Sequence, residues 1–205
     1  MKREQQLRGF AWGLTVLVAL LAFVAWGSFI EWRVRTSYQL FPLFGLLAFS
    51  LLWAHYIASA MRQHVKFEPK VLAGYFESTS LMVLLLILLH PGLFAWQLWR
   101  DGLGLPPGSE LQYVEPTARW AIVVGFTSLT IFLLYEFRRF YHKKIRWHYV
   151  EVITDIAIVM IYFHALRLGS TLMEGWFRWV WYAYGLTLVA ALVYSYSQKA
   201  KKRKK

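Results

Sequence analysis

The sequence predicts an all-α fold: a polytopic membrane protein built as a bundle of six transmembrane helices. Hydrophobic residues make up 58% of the 205 residues, above the roughly 45–50% of soluble proteins, and the excess lies in six long runs. Each run is close to the ~20 apolar residues that cross the hydrocarbon core as a helix. Basic residues cluster in alternate connections between the runs, as cytoplasmic loops of membrane proteins do.

The six runs define one transmembrane domain over residues 1–205, with little room for a second large domain. Their expected bounds are 9–30, 38–61, 71–98, 120–137, 148–166 and 177–196, followed by a basic tail at 197–205. A cleaved signal peptide is not expected at the start, because the first run is too long and no small-residue cleavage site follows it before Glu31.

The charges of the connections orient the predicted helices. Lysine and arginine concentrate before the first run, after the second, after the fourth and in the tail, whereas the connection at 100–119 carries three acidic residues. By the positive-inside rule both termini lie in the cytoplasm of a bacterial-type inner (plasma) membrane, with membrane lipid as a partner. Helix anchoring then explains the net charge of +12. Nucleic acid is not an expected partner, because no soluble domain remains to carry a basic patch.

Candidate chemistry rests on ionisable residues inside the predicted spans. The chain has no cysteine, which excludes disulfides, thiolate metal sites and iron–sulfur clusters. No internal repeat, hydrolase motif or phosphate-binding loop is visible. Ionisable groups within a membrane are costly and usually face the interior of the bundle, so each of them is a functional candidate.

Two histidines lie at matching depths in the third and fifth predicted spans. His90 is about 18 residues past the cytoplasmic start of its span and His164 about 17 residues past that of its own, so both lie ~25 Å from the cytoplasmic surface. Two imidazoles at one height on two helices can bind one haem iron from opposite faces. The alternative is that each histidine hydrogen-bonds to a backbone carbonyl or to water.

A second group of ionisable residues lies in the cytoplasmic half of the spans. It consists of His55 in the second span, Glu77 in the third, and Glu151 and Asp155 in the fifth. The last two are spaced i, i+4 and share a helix face. If the four meet at one level, they form a proton- or quinone-handling site, or an unusual inner cofactor site. Otherwise His55 pairs with carboxylates, and the groups near the interface reach out to it.

Three stretches of the sequence carry a family resemblance over about residues 38–196. They are LFPLFGLLAFSLLWAHYIASA in the second span, LLLILLHPGL in the third, and FRRFYHKKIRWHYVEVITDIAIVMIYFHALRLG before and through the fifth. In this order they resemble the ferric reductase-like transmembrane domain family. That family includes the membrane parts of NADPH oxidases and metalloreductases, and the haem-bearing membrane subunit of the bacterial periplasmic methionine sulfoxide reductase system.

The resemblance implies an iron-binding site in which His90 and His164 hold haem b. Many members carry a second haem on the cytoplasmic side, with ligands about four helical turns, or 13 to 14 residues, before the outer pair. Phe76 and Glu151 stand at those positions here, and neither is a normal haem ligand. His148 is a nearby substitute, so one haem is expected and a second stays open.

The resemblance also implies partners. Complete reductases of this family carry flavin and nicotinamide domains after the sixth helix, whereas this sequence continues only into KAKKRKK. Electrons are therefore expected from a separate reductase or from quinol, and the sequence does not identify the acceptor. A quinone, or a flavin supplied by a partner, is a further candidate cofactor. The chain is expected to be an electron-transfer subunit of an oxidoreductase, and whether it is itself an enzyme stays open.

Two arginines near the outer rim are candidates for contact with the haem propionates. Arg167 follows His164 by about one helical turn on nearly the same face, and Arg100 lies beyond His90. A guanidinium suits a carboxylate through paired, charge-assisted hydrogen bonds. The alternative is that both arginines reach out to the interface. The alternative to haem electron transfer as a whole is a haem-free membrane scaffold or small transporter that uses the inner polar group.

Overall fold

The structure, a computed structural model, describes residues 2–30, 37–137 and 147–203. Every regular element of these residues is helical, which confirms the all-α prediction. The α-helices are α1 (Lys2–Gly27), α2 (Ser37–His64), α3 (Ala73–Arg100), α4 (Glu110–Tyr113), α5 (Arg119–Phe137), α6 (Trp147–Leu168), α7 (Ser170–Met173) and α8 (Phe177–Arg203). Single 3₁₀ turns at Pro69–Leu72 and Pro116–Ala118 lead into α3 and α5.

Five of the described helical segments are long and apolar enough to cross a membrane. They are Lys2–Gly27, Ser37–His64, Pro69–Arg100, Pro116–Glu136 and Tyr149–Leu168. The sixth predicted span corresponds to α8, which is 27 residues long but is not one of the five. Its sequence interleaves tryptophan, tyrosine and serine with the aliphatic residues, and these side chains carry polar atoms that lower the hydropathy of the helix.

Several aromatic side chains of α8 pack into the bundle, among them Trp181 and Tyr184. The ring centroids of Phe49 and Trp181 are 4.3 Å apart, and Trp53 stacks on Tyr184 at 4.4 Å. The Trp53 indole N–H also donates a hydrogen bond to the Tyr184 carbonyl at 3.1 Å. Each aromatic pair contributes ~0.5–1.5 kcal/mol beyond the area it buries. These contacts attach α8 to α2, so α8 belongs to the bundle and is not a separate tail.

Helix α2 is the centre of the fold. It packs against α1, α3 and α8, while α5 packs chiefly against α6. Prolines lie inside both members of the α2/α3 pair, at Pro42 and Pro91. Each proline lacks the N–H that would continue the helical ladder, an arrangement that helices in membranes tolerate when neighbouring helices cover them.

The outside of the bundle is apolar. Leucines on α1, α3 and α8 are more than half exposed, among them Leu20, Leu85 and Leu186. A contiguous apolar surface of this kind would be an aggregation liability in water and is what a lipid-facing surface requires. The exterior therefore fits an integral membrane protein.

Candidate functional site

A cavity of about 310 Å³ lies between the α2/α3 pair and the α5/α6 pair. Its walls are mostly aromatic and aliphatic, with Phe41, Phe49, Phe94, Phe126 and Phe132 among the lining residues. The two imidazoles of His90 and His164 are also part of the lining. Apolar walls with a few convergent polar groups are the usual composition of a cofactor pocket.

His90 extends from α3 to the backbone of α2. Its Nδ1 donates a hydrogen bond of 2.7 Å to the Phe41 carbonyl. The imidazole can approach because the next residue on that helix face is glycine: a Cβ built on Gly45 would lie 2.8 Å from Cε1 of His90. Only a residue without a side chain leaves room for the ring.

His164 repeats the same arrangement on the other helix pair. Its Nδ1 donates to the Ala121 carbonyl of α5 at 2.7 Å. A Cβ built on Gly125 would lie 2.7 Å from Cε1 of His164. The glycine again follows the accepting carbonyl by one helical turn, as in FPLFG and AIVVG.

This repeated unit of carbonyl, glycine and histidine is what the sequence analysis missed. No repeat is visible at the level of the sequence because only one glycine and one histidine recur in each pair. The available signal was a glycine inside each helix that precedes a histidine-bearing helix, Gly45 in α2 and Gly125 in α5. Glycine is common in membrane helices, however, so the signal becomes specific only when the facing ring is known.

The two hydrogen bonds determine which imidazole nitrogens are available for a ligand. A carbonyl oxygen can only accept, so Nδ1 of each ring carries the hydrogen and the ring is neutral when Nε2 keeps its lone pair. This is the form in which a histidine ligates a metal, with the other ring N–H held by a backbone carbonyl. Both histidines therefore form the hydrogen bond to a backbone carbonyl that the sequence analysis gave as the alternative to ligation. This bond uses Nδ1 and leaves Nε2 for a ligand.

The rings of His90 and His164 come together across the cavity. Their centroids are 6.5 Å apart and their planes are nearly perpendicular, at 83°. A metal bound between two imidazoles lies ~2 Å from each nitrogen, so the two centroids would be about 6.4 Å apart. The observed separation is close to this value, and the structure brings the two rings together, as their matched depths predicted.

The donor set also suits haem better than a bare metal ion. Among the residues that the structure describes, no group of three or more His, Asp or Glu side chains could hold a metal ion. A porphyrin supplies four nitrogens of its own and needs only two axial ligands. Two facing neutral imidazoles in an apolar cavity are what such a cofactor requires from the protein.

The outer arginines have other partners in the structure. Arg167 donates to the Thr117 hydroxyl at 3.0 Å. Arg100 lies over the Trp96 ring at 5.1 Å and 3.9 Å from the Asp101 carboxylate. Hydrogen bonds from Gln97 and Tyr38 lower the pKa of Asp101, which keeps this carboxylate charged beside Arg100. Neither arginine lines the cavity, so their assignment to propionates stays a prediction.

The predicted inner group of four does not form a cluster, and the expectation is corrected here. His55 bonds through Nε2 to the Thr79 hydroxyl, and the rings of Tyr75 and Phe76 pack around it at 5.7 and 5.4 Å. Glu77, on α3, is exposed. Equal depth in the membrane did not bring these residues into contact, because His55 faces α3 while the carboxylates of α6 contact other residues of α2 and α8.

The carboxylates of α6 instead face α2 and α8. Asp155 accepts hydrogen bonds of 2.7 Å from the hydroxyls of Tyr56 and Tyr196, one on each of its oxygens. Glu151, one turn earlier on the same face, pairs with Lys199 at 2.9 Å. The i, i+4 spacing therefore does place the two acids on one face, with tyrosines and a lysine as partners. The side chain of His148, the candidate inner ligand, lies outside the described part of the chain.

Removing the Tyr56 hydroxyl is expected to destabilise the bundle. In Tyr56→Phe a carboxylate within the bundle loses one of its two donors, and such charge-assisted bonds contribute ~1.5–3 kcal/mol. The thermal unfolding midpoint should fall by about 5 °C. Tyr194→Phe, on α8 near Tyr196, is the matched control and should leave the midpoint unchanged. An unchanged midpoint in Tyr56→Phe would show that this hydrogen bond is not formed.

No family model, no curated protein and no solved structure matches this chain. The site is therefore interpreted from its own geometry.

Proposed function

We propose that this protein is a haem b-binding membrane protein that transfers electrons as the membrane component of an oxidoreductase system. The observation that carries the proposal is the His90–His164 pair: two neutral imidazoles, each held by a backbone carbonyl, 6.5 Å apart across an apolar cavity. The sequence resemblance to ferric reductase-like membrane domains supports the same function.

The residues of the site would serve such a cofactor in three ways. His90 and His164 would hold the haem iron, and ligation by two histidines would favour electron transfer over oxygen binding. The Phe41 and Ala121 carbonyls hold the ring tautomers. The apolar walls exclude water and thereby influence the reduction potential. When bound, haem supplies the one-electron redox couple.

The proposal includes six spans with both termini in the cytoplasm. Five described segments are apolar enough to span, and the packing of α8 on α2 supports it as the sixth. The basic connections and tail support the orientation. Reporters fused after Lys205 and inserted near Pro107 should then lie on opposite sides of the membrane, the first of them cytoplasmic. The opposite pattern would reverse the orientation.

Electrons would come from a separate reductase or from quinol, as the resemblance to stand-alone bacterial membrane subunits implies. The final electron acceptor would lie on the side of the membrane that is nearer to the two histidines. Under the proposed orientation this is the external side, since both histidines are in the outer half of their helices.

Absorption spectroscopy of the purified protein tests the proposed function. Protein purified from haem-replete cells should show the sharp visible bands of a low-spin haem after reduction. A one-electron oxidant should then restore the spectrum of the oxidised protein. A haem-free membrane scaffold or transporter would purify without these bands. Colourless, folded protein from haem-replete cells would contradict the proposal.

A further inference from the structure

A second cleft lies at the cytoplasmic end of the bundle, between the start of α1 and the start of α3. Its volume is about 280 Å³. Two cationic side chains line it, Arg8 and Lys70, and two aromatic rings, Trp12 and Tyr75. Val71 and Gly74 complete the lining. It contains none of the residues of the histidine cavity.

The cationic side of the cleft is partly organised by the backbone. Arg8 donates from Nε to the Val71 carbonyl at 3.0 Å, which fixes the guanidinium at the cleft while its terminal nitrogens are not used in that bond. Lys70 pairs at 2.8 Å with Glu68, and both side chains are more than two thirds exposed. Exposed pairs of this kind contribute little to stability, so a stronger anion can compete for Lys70.

The aromatic side of the cleft is a rigid wall. The rings of Trp12 and Tyr75 meet edge to face at 5.3 Å, and the Tyr75 hydroxyl shares a hydrogen bond of 2.8 Å with Thr15. Between these walls the floor is open: a Cβ built on Gly74 would meet no heavy atom within 4 Å. Tryptophan and tyrosine in such positions are typical of the level of lipid headgroups.

The cleft continues into the lipid-facing surface of the same two helices. Val16 and Leu20 follow Trp12 at successive turns of α1 and are 55% and 57% exposed. Leu81 and Leu85 lie further along α3 and are 59% and 54% exposed. A ligand with a phosphate at the cleft could therefore place acyl chains along these residues without leaving the surface of the protein.

We propose that the cleft lined by Arg8, Lys70 and Gly74 binds the headgroup phosphate of an anionic phospholipid. A guanidinium and an ammonium are the side chains that bind phosphate, and basic pockets between membrane helices on the cytoplasmic side bind anionic headgroups. The inference rests on the membrane-spanning part of the proposed function and is independent of haem. The apolar path beyond the cleft favours a lipid over free phosphate.

Native mass spectrometry of the purified full-length chain in detergent tests this site. Phosphatidylglycerol, phosphatidylethanolamine and inorganic phosphate are the three probes. We expect one phosphatidylglycerol to be retained per chain and the other two probes to be retained at least fivefold less. Gly74→Leu should fill the open floor and Lys70→Gln should remove a cation, and each should lower phosphatidylglycerol binding about fivefold.

Two variants serve as matched controls. Gly92→Leu changes a glycine on the same helix that also has no neighbour within 4 Å but lies at the other end, and Lys66→Gln removes a nearby lysine that does not line the cleft. Both should bind phosphatidylglycerol as the unaltered chain does. Equal losses in the control and cleft variants, unchanged binding in Lys70→Gln, or retention of inorganic phosphate without lipid preference would each overturn the proposal. The haem band of the same samples reports on the proposed function separately.

Discussion

Replacing His90 or His164 by alanine is expected to lower the haem content of the purified protein about tenfold or more. Each substitution would remove one of the two proposed haem ligands and leave the other imidazole facing a cavity. Each ring also donates a hydrogen bond to a helix carbonyl across the α2/α3 or α5/α6 interface. The substitution should therefore also lower the stability of the fold, but by less than it lowers the haem content. The ratio of haem absorbance to protein concentration measures the effect.

A matched control separates ligation from general damage. His64→Ala removes a histidine at the end of α2 whose ring contacts Tyr194, and it should retain full haem content. Added imidazole should partly restore the spectrum of His164→Ala, because the small ligand can occupy the space of the missing ring. Full haem retention in both His90→Ala and His164→Ala would exclude these residues as ligands.

Substituting either glycine that faces a histidine, Gly45 or Gly125, by alanine is expected to remove haem without destabilising its helix. In Gly45→Ala or Gly125→Ala the new methyl group would lie within 3 Å of an imidazole atom, so we expect the ring to shift away from the helix and from its carbonyl partner. The same change favours the helix by ~1 kcal/mol, because alanine has the higher helix propensity. Haem content should therefore fall about tenfold while the helical circular dichroism stays unchanged, a combination that ordinary misfolding does not produce.

Glycines elsewhere in the same bundle serve as controls for this experiment. Gly13 on α1 and Gly92 on α3 have no neighbouring heavy atom within 4 Å of a built Cβ. Gly13→Ala and Gly92→Ala should thus keep normal haem content and gain slightly in helix stability. If Gly45→Ala and Gly125→Ala behave like these two variants, the close approach of ring and helix does not determine the position of the ligands.

The helices and the histidine pair could be predicted from the sequence because both depend only on position along the chain, which determines depth in the membrane. Hydrophobic runs determine where a helix crosses a bilayer, and the constant rise of the helix determines the depth of each residue. His90 and His164 were matched by depth, and the structure brings their rings together. The bounds of the long helices agree with the runs to within about three residues, except at the two ends of the chain, where α1 begins earlier and α8 ends later.

The contacts around each helix axis could not be predicted in the same way. Their similar depth predicted that His55, Glu151 and Asp155 lie together. In the structure, the orientation of α2 about its own axis points His55 toward Thr79 on α3. The same helix presents Tyr56, the next residue, to Asp155. Neighbouring residues on a helix point about 100° apart, so a cluster inferred from depth needs the packing of the helices to decide its members.

The structural role of α8 was likewise only partly predicted. Its start at Phe177 was expected, whereas it continues to Arg203 through most of the predicted tail. Its interaction with α2 follows from pairs such as Trp53 with Tyr184. A pattern of aromatic residues does not say which of them face lipid and which face protein. Trp179 is 73% exposed whereas Trp181 is fully buried, although only one residue separates them.

Electron paramagnetic resonance of the ferric protein, quantified per chain, tests the central claim most directly. Two histidine ligands would make a bound ferric haem low-spin. The account predicts one such low-spin haem per chain, lost in His90→Ala and in His164→Ala. A high-spin signal, two low-spin haems per chain, or no haem signal in folded protein would contradict it.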